Sequence, residues 1–244
     1  MDVAAYHSMR DLQDEHWWFV GRRKFLRQLI QRHGNLGPDA RIFEAGCGFG
    51  GNLPLLEEFG RVSAFEYSEE ARAYSTAQSG IAVMPGALPH GVDFGGRTYD
   101  LIALLDVLEH IDDDRASLET LGRGLAENGR MLITVPAFQW LWSKHDELHH
   151  HKRRYSRKSL ETVIRAAGLS PVKTGYFNSL LFPLAVAQRI ATRASNSPAV
   201  GDDMPPKPVN KALGGVFSVE SAMAGKFGLP FGLSAYAIVE KPGR

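Results

Sequence analysis

The sequence predicts a doubly wound α/β protein built on a parallel sheet, and three observations predict it. Apolar runs of strand length alternate with helical segments over residues 40–135. The first run, Arg41-Ile-Phe-Glu-Ala45, enters a glycine turn, Gly46-Cys-Gly-Phe-Gly-Gly51. A later run, Tyr99-Asp-Leu-Ile-Ala-Leu-Leu105, is apolar almost throughout, as a central parallel strand buried on both faces must be. At 244 residues and 44% hydrophobic composition, the chain suits one such domain with an elaborated edge. A net charge of +1 disfavours a polyelectrolyte partner, so nucleic acid is not expected.

The elements follow in order. Residues 8–33 read as one helix, with Leu12, Trp17, Trp18, Phe19, Phe25, Leu26, Leu29 and Ile30 at apolar positions. Gly34 to Pro38 ends it. Strands are expected at 40–45, 62–66, 81–84, 99–105 and 129–135, the last stopped by Pro136. Helices are expected near 51–59, from Ser68 to Gln78, and near 114–126. An aromatic, histidine-rich stretch (137–155) then leads to a helix at 157–167, closed by Gly168, and to a strand at 170–177. Leu233–Val239 reads as the seventh strand. Between the last two strands lies an insertion, 179–232, with helix candidates at 179–194 and 210–227 around a polar loop, 195–209, expected to be mobile.

The N-terminus lacks a basic segment followed by an apolar one, so no signal peptide is expected. No apolar run reaches the roughly 18 residues of a membrane-spanning helix. The single cysteine, Cys47, excludes an intramolecular disulfide and fits a reducing compartment. A cytoplasmic protein is the expectation.

The glycine turn carries the functional signal. Only small residues let a backbone pass close to a bound ligand. Glu44 stands two residues before the turn, and Glu66 ends the second strand. That pairing suits a nucleoside, with the turn on the ligand's tail and the second acid on the ribose diol. The glycines match both G-x-G-x-x-G and G-x-G-x-G, so on their own they do not separate NAD from S-adenosylmethionine (SAM).

Three features favour SAM. They are the E-x-G-x-G-x-G order from Glu44, the Leu104-Leu-Asp-Val-Leu-Glu-His110 end of the fourth strand, and the absence of a second dinucleotide half. With His16-Trp-Trp-Phe19 and His145-Asp146…His151-Lys-Arg-Arg-Tyr155, these residues resemble the class I SAM-dependent methyltransferases over about residues 12–240. The resemblance implies a Rossmann-like, seven-stranded sheet whose last strand is antiparallel. Trp17 and Trp18 beside Arg22 and Arg23 read as part of an N-terminal helical lid, 1–38, on a SAM-binding domain at 39–244, or as a helix packed on the sheet edge with the Trp pair as core. Under the resemblance, Glu44, Gly46, Cys47, Gly48 and Gly50 wrap the methionine tail and Glu66 accepts the ribose hydroxyls. Tyr67, Ala87 and Leu88 flank the adenine, while Leu105 and Asp106 close the pocket.

The acceptor side is expected in 142–155, on the carboxyl edge of the sheet where open α/β folds bind ligands. His145, Asp146, His151 and Tyr155 are the candidate catalytic residues, and a histidine near its free pKa suits deprotonation of a hydroxyl or amine. Trp17, Trp18, Trp142 and Arg154 are the candidate acceptor contacts. His149 and His150 fall off the motif positions. No compact metal-ligand spacing is present, so no metal is expected. Three readings stand for 179–232: a pocket wall, a peripheral membrane contact through 179–194, or a dimer face. The expected activity is methyl transfer to oxygen or nitrogen of a small-molecule or lipid-linked acceptor. The alternatives are an NAD(P)-dependent oxidoreductase and a non-catalytic SAM-binding protein.

Overall fold

The computed structural model describes residues 3–195, 203–223 and 229–243. Seven strands form one sheet: β1 (Arg41–Ala45), β2 (Arg61–Glu66), β3 (Val83–Pro85), β4 (Tyr99–Leu105), β5 (Leu125–Pro136), β6 (Ser170–Phe177) and β7 (Ser234–Glu240). Their order is β3-β2-β1-β4-β5-β7-β6. β1 to β5 pair in parallel, and β7 runs antiparallel between β5 and β6. The order reverses between β1 and β4. A crevice therefore opens at the carboxyl ends of these strands, where ligands of open α/β sheets bind.

Nine helices are described: α1 (Val3–Leu12), α2 (Trp17–His33), α3 (Leu53–Glu57), α4 (Glu69–Ser79), α5 (Asp114–Gly124), α6 (Lys144–Leu148), α7 (Arg157–Ala166), α8 (Phe182–Ser195) and α9 (Lys207–Met223). Local chemistry sets their ends. Ser68 caps α4 by accepting from Ala71 N–H, and Gly80 closes it at φ 72°, a left-handed turn that glycine adopts without strain. Asp113 accepts from Ala116 N–H at the start of α5.

Each face of the sheet buries its own core. On one, Phe43, Ile102, Ile133, Val135 and Ala237 meet Leu118 and Leu121 of α5 and Leu160 and Ile164 of α7. On the other, Ile42, Leu101, Ala103, Leu132 and Ile238 meet Phe25, Leu26, Leu29 and Ile30 of α2, Leu55 and Leu56 of α3, and Phe217 of α9.

Four expectations change. The single helix expected over 8–33 is two, because the chain turns at 13–16 and His16 accepts from Trp18 N–H to begin α2. No glycine or proline marks that break. α2 buries Phe25, Leu26, Leu29 and Ile30, so it is a covering layer of the sheet, as the second of the two readings has it, and α1 reaches the glycine turn through Tyr6 on Phe49. β5 begins at Leu125, inside the residues expected to end a helix, through an irregularity in its pairing with β4. The second insertion helix covers Lys207–Met223 and packs on α2, so it is an intramolecular layer. There Gly21 lets the Phe217 ring approach, since a methyl group at Gly21 would stand 2.3 Å from Cδ1. Residues 196–202 of the loop expected to be mobile, and 224–227 of the second helix candidate, lie outside the described residues. Among the described residues, no helix is long and apolar enough to cross a membrane.

Candidate active site

The turn after β1 is built from three left-handed glycines, Gly46 (φ 73°), Gly48 (φ 54°) and Gly50 (φ 82°). A side chain at Gly46 would press on Val107, and one at Gly50 on Leu53 and Ser75. Gly46 and Cys47 donate their N–H groups to the Phe65 carbonyl, stitching the turn to β2. The Glu66 carboxylate accepts from Gly48 N–H at 2.8 Å and from Ser68 N–H at 2.8 Å. These bonds hold it upright at the strand end, facing the glycines. Tyr67, beside it, is 80% exposed. Ala87 exchanges hydrogen bonds with Gly91, and Leu88 packs against the core.

Glu44 is buried below the turn. Its Oε1 accepts from Asn52 Nδ2 at 2.9 Å, and its Oε2 has no hydrogen-bond partner. Burial pushes the Glu44 carboxyl up to about 7, against the Asn52 bond and the Arg22 charge. Burial likewise raises the Cys47 thiol, so the thiolate is disfavoured and this cysteine acts as a small filler.

Arg22 links this end of the site to β4. Its guanidinium donates to Asn52 Oδ1 at 3.2 Å and Thr134 Oγ1 at 3.4 Å, and pairs with Asp106 at 2.5 Å. It also lies 5.2 Å from the Trp18 ring, a cation–π contact one helical turn along α2. Asp106 sits just past β4 at φ 56°, next to Leu105. Arg22, Asn52 and Tyr6 were not among the sequence candidates. A Trp-x-x-x-Arg spacing on a helix was the available signal for the first.

Above the turn, the α1 residue Tyr6 lies tilted against Phe49, ring centres 4.6 Å apart, with its hydroxyl under the influence of the Glu66 charge. Burial and the Glu66 charge both raise the Tyr6 hydroxyl, so it stays a neutral donor. Arg23 donates to the carbonyls of Gln13 and Gly51, joining the 13–16 turn to the glycine turn.

The histidine-rich stretch folds over the ends of β4 and β5. Phe138 N–H donates to Tyr155 and Tyr155 N–H to Pro136, and Lys152 N–H donates to Glu109 at 2.7 Å. These bonds bring His151 beside His110, ring centres 4.7 Å apart. His145 lies 4.1 Å from the His149 ring and 6.1 Å from His151.

Asp146 is fully buried. It accepts from Arg154 Nε at 2.6 Å and Nη2 at 3.0 Å, from Ser143 N–H at 2.8 Å, and pairs with His151 Nδ1 at 2.8 Å. Burial alone would raise this carboxyl, but the His151 and Arg154 bonds outweigh it and hold it below the usual range. Burial lowers His151, with the Asp146 bond opposing. Burial also lowers His110, to about 3, with the His151 and His149 charges adding to it.

The structure separates the remaining candidates. Arg154 spends its guanidinium on Asp146 and the Ala137 carbonyl, so it positions Asp146 and has no free edge for an acceptor. Tyr155 is buried and donates to Asp114 at 2.8 Å, away from the histidines. Trp17 and Trp18 pack half-buried against the α2 face of the core. Trp142 follows a short turn at 139–141 and is half-buried.

Residues 19–174 match a family model described as a methyltransferase domain. The chain belongs to the methyltransferase-domain family. It is a SAM-dependent methyltransferase, with SAM as its cofactor. No curated protein matches the sequence. Among solved structures, the chain is similar to a methyltransferase of Haloferax volcanii in complex with the Trm112 activator. That match has 16% identity and a TM-score of 0.60, covering 100% of this chain and 99% of that one. It is also similar to magnesium protoporphyrin IX methyltransferase of Synechocystis with bound SAH, at 17% identity and a TM-score of 0.56, covering 71% and 88%. A SAM-dependent methyltransferase of Clostridium acetobutylicum matches at 12% identity and a TM-score of 0.58, covering 91% and 92%. At these identities the likeness concerns the fold. The residues of this methyltransferase fit the cofactor on their own terms. Three glycines shape the cradle, and a buried carboxylate oxygen beneath it lacks a partner.

Proposed function

We propose that this methyltransferase transfers the SAM methyl group to an oxygen or nitrogen nucleophile of a small-molecule or lipid-linked acceptor. One observation carries the reading. Glu44 and Glu66 bracket the left-handed glycine turn at the switch point of the sheet, and the Asp146–His151 pair stands at the ends of the next strands. In this reading the turn and Glu44 hold the methionine tail, Glu66 receives the ribose diol, and Tyr67, Ala87 and Leu88 flank the adenine. Leu105 and Asp106 close the methionine side. The bound sulfonium supplies an activated methyl group, and the protein's share is alignment and exclusion of water.

Asp146 fixes the His151 ring, so that its other nitrogen meets the acceptor, and His151 activates the nucleophile. His145, Trp142 and the Trp17–Trp18 pair line the approach. α1 acts as the lid, with Tyr6 over Glu66. The lipid-linked option draws on α8, where Leu184 is 60% and Ile190 62% exposed.

Calorimetric titration with SAM and with NAD tests the cofactor. Heat with SAM alone supports the reading, and absence of SAM binding ends it. His151→Ala should then abolish turnover of labelled SAM into an acceptor extract while leaving SAM affinity unchanged. Full activity would remove His151 from that role.

A further inference from the structure

We propose that Glu109, His110 and His151 form a binding site for one divalent transition-metal cation. A hydroxyl of the methyl acceptor would complete the coordination. The second half rests on the methyltransferase reading above, and the first half stands without it.

One ligand atom from each of the three residues lies within 4.8 Å of the other two. Glu109 is 1% exposed, and its Oε2 has no hydrogen-bond partner. A carboxylate oxygen buried in that way is costly unless a proton or a cation meets it. Each imidazole contributes one ring nitrogen to that group. His151 gives Nδ1 to Asp146, which leaves Nε2 as the nitrogen for a ligand. Asp146 is itself braced by Arg154 and Ser143, so the ring is held by an outer shell of the carboxylate–histidine kind that orients metal-binding imidazoles. Arg22 and Arg154 act on Glu109 through their charge, but neither bonds to it. Two histidines and one carboxylate, with the remaining positions open, are a donor set for Zn²⁺ and its first-row neighbours.

The position suits the chemistry. Glu109 and His110 follow Asp106 and Val107, and Val107 packs directly under the first glycine of the turn. A cation here would bind an acceptor hydroxyl and release its proton to water. The oxygen would then attack the SAM methyl carbon. The new C–O bond forms as the C–S bond breaks, and the electron pair stays on sulfur as a neutral thioether. His151 would act as a ligand, in place of removing the proton directly. No compact ligand spacing marks this site in the sequence, because positions 109 and 110 lie far from 151 and come together in the fold, where the Lys152–Glu109 backbone bond joins their segments.

The test uses the full chain, freed of metal with a chelator and titrated with Co²⁺. Visible absorption and calorimetry are followed, and SAM affinity is measured separately. The expected result is one Co²⁺ per chain with a d–d band, displaced by Zn²⁺. Glu109→Gln and His110→Ala should each weaken Co²⁺ binding by more than the ~10–100-fold that loss of an outer-shell partner costs, with SAM affinity kept. Glu109→Gln copies the protonated acid, so folding without metal binding is its expected behaviour. Should that variant misfold, His110→Ala, at a half-buried position, decides. Absence of a band in wild type that still binds SAM would overturn the site. So would a band that persists in both variants, since other histidines would then hold the ion. Loss of SAM binding with intact Co²⁺ binding would sink the methyltransferase reading and leave the metal site standing.

Discussion

The Arg22 guanidinium lies 2.5 Å from the Asp106 carboxylate, joining the second helix to the residue that follows the fourth strand. Arg22 is buried, and Asp106 adopts a left-handed backbone, uncommon outside glycine though aspartate takes it more readily than most. The same guanidinium reaches Asn52, which in turn serves Glu44. One cation thus organises three polar groups around the cofactor cradle.

Arg22→Ala is therefore expected to do more than remove a surface charge. Asp106 would lose its partner at a partly buried position, a loss of about 3 kcal/mol, the low end for broken buried pairs. Urea denaturation should register it as a lower midpoint. SAM affinity should fall in the same variant, because Asn52 and Asp106 are no longer held.

Glu44 makes stability depend on pH. Its carboxyl is raised from 4.5 to about 7 by burial, so the native state keeps its proton longer than the unfolded chain. Below pH 4.5 both states are protonated and nothing is lost. As pH rises from 4.5 through 7 the unfolded chain ionises first, and native stability declines. Glu44→Gln removes this slope. At pH 8 the variant should exceed wild type by up to about 3 kcal/mol, and the two should converge near pH 5. Parallel slopes in urea denaturation across that range would discard the assignment.

Glu66→Ala removes the acceptor of two backbone N–H groups and, in the proposed site, of the ribose diol. SAM binding should weaken by roughly 1–3 kcal/mol, the cost of leaving buried hydroxyls unpaired. Calorimetry at constant pH measures it. Unchanged affinity would take Glu66 out of the site.

Much of this architecture was legible in the residues. The apolar run 99–105 marked β4 because a strand buried on both faces has no polar alternation to hide it. Glu44, Glu66 and the glycines were legible because their spacing is short and local. The helix break at 13–16 was not, because a histidine cap takes the place of any glycine or proline. The start of β5 at Leu125 was not, since an apolar residue there suits a helix end as well. The pairing of Asp146 with Arg154 was not legible for a different reason. A buried ion pair and an acceptor contact use the same residue types, and only their mutual distance separates them. The meeting of Glu109 with His151 depends on the path of an irregular segment, which no periodicity encodes.

The close approach of α2 and α9 yields a fourth prediction. Gly21→Ala places a methyl group 2.3 Å from the Phe217 ring, so the helices must part. Overpacking of this kind costs about 1–3 kcal/mol. Phe217→Leu in the same chain should recover part of that loss, and a double-mutant cycle in urea would report the coupling. Additive losses would show that the two sites do not share the contact.

The strand order also sets a timetable. β6 precedes β7 in synthesis, yet it borders only β7, which enters between it and β5. Until β7 arrives, the edge of β5 lies bare and β6 has nothing to pair with. The apolar stripe of α2 likewise waits for α9. Contacts spanning most of the polypeptide close late, and such closures are slow and leave sticky intermediates. The methyl-donor half of the sheet can gather early from neighbouring segments, while its far half is sealed by the last strand to emerge.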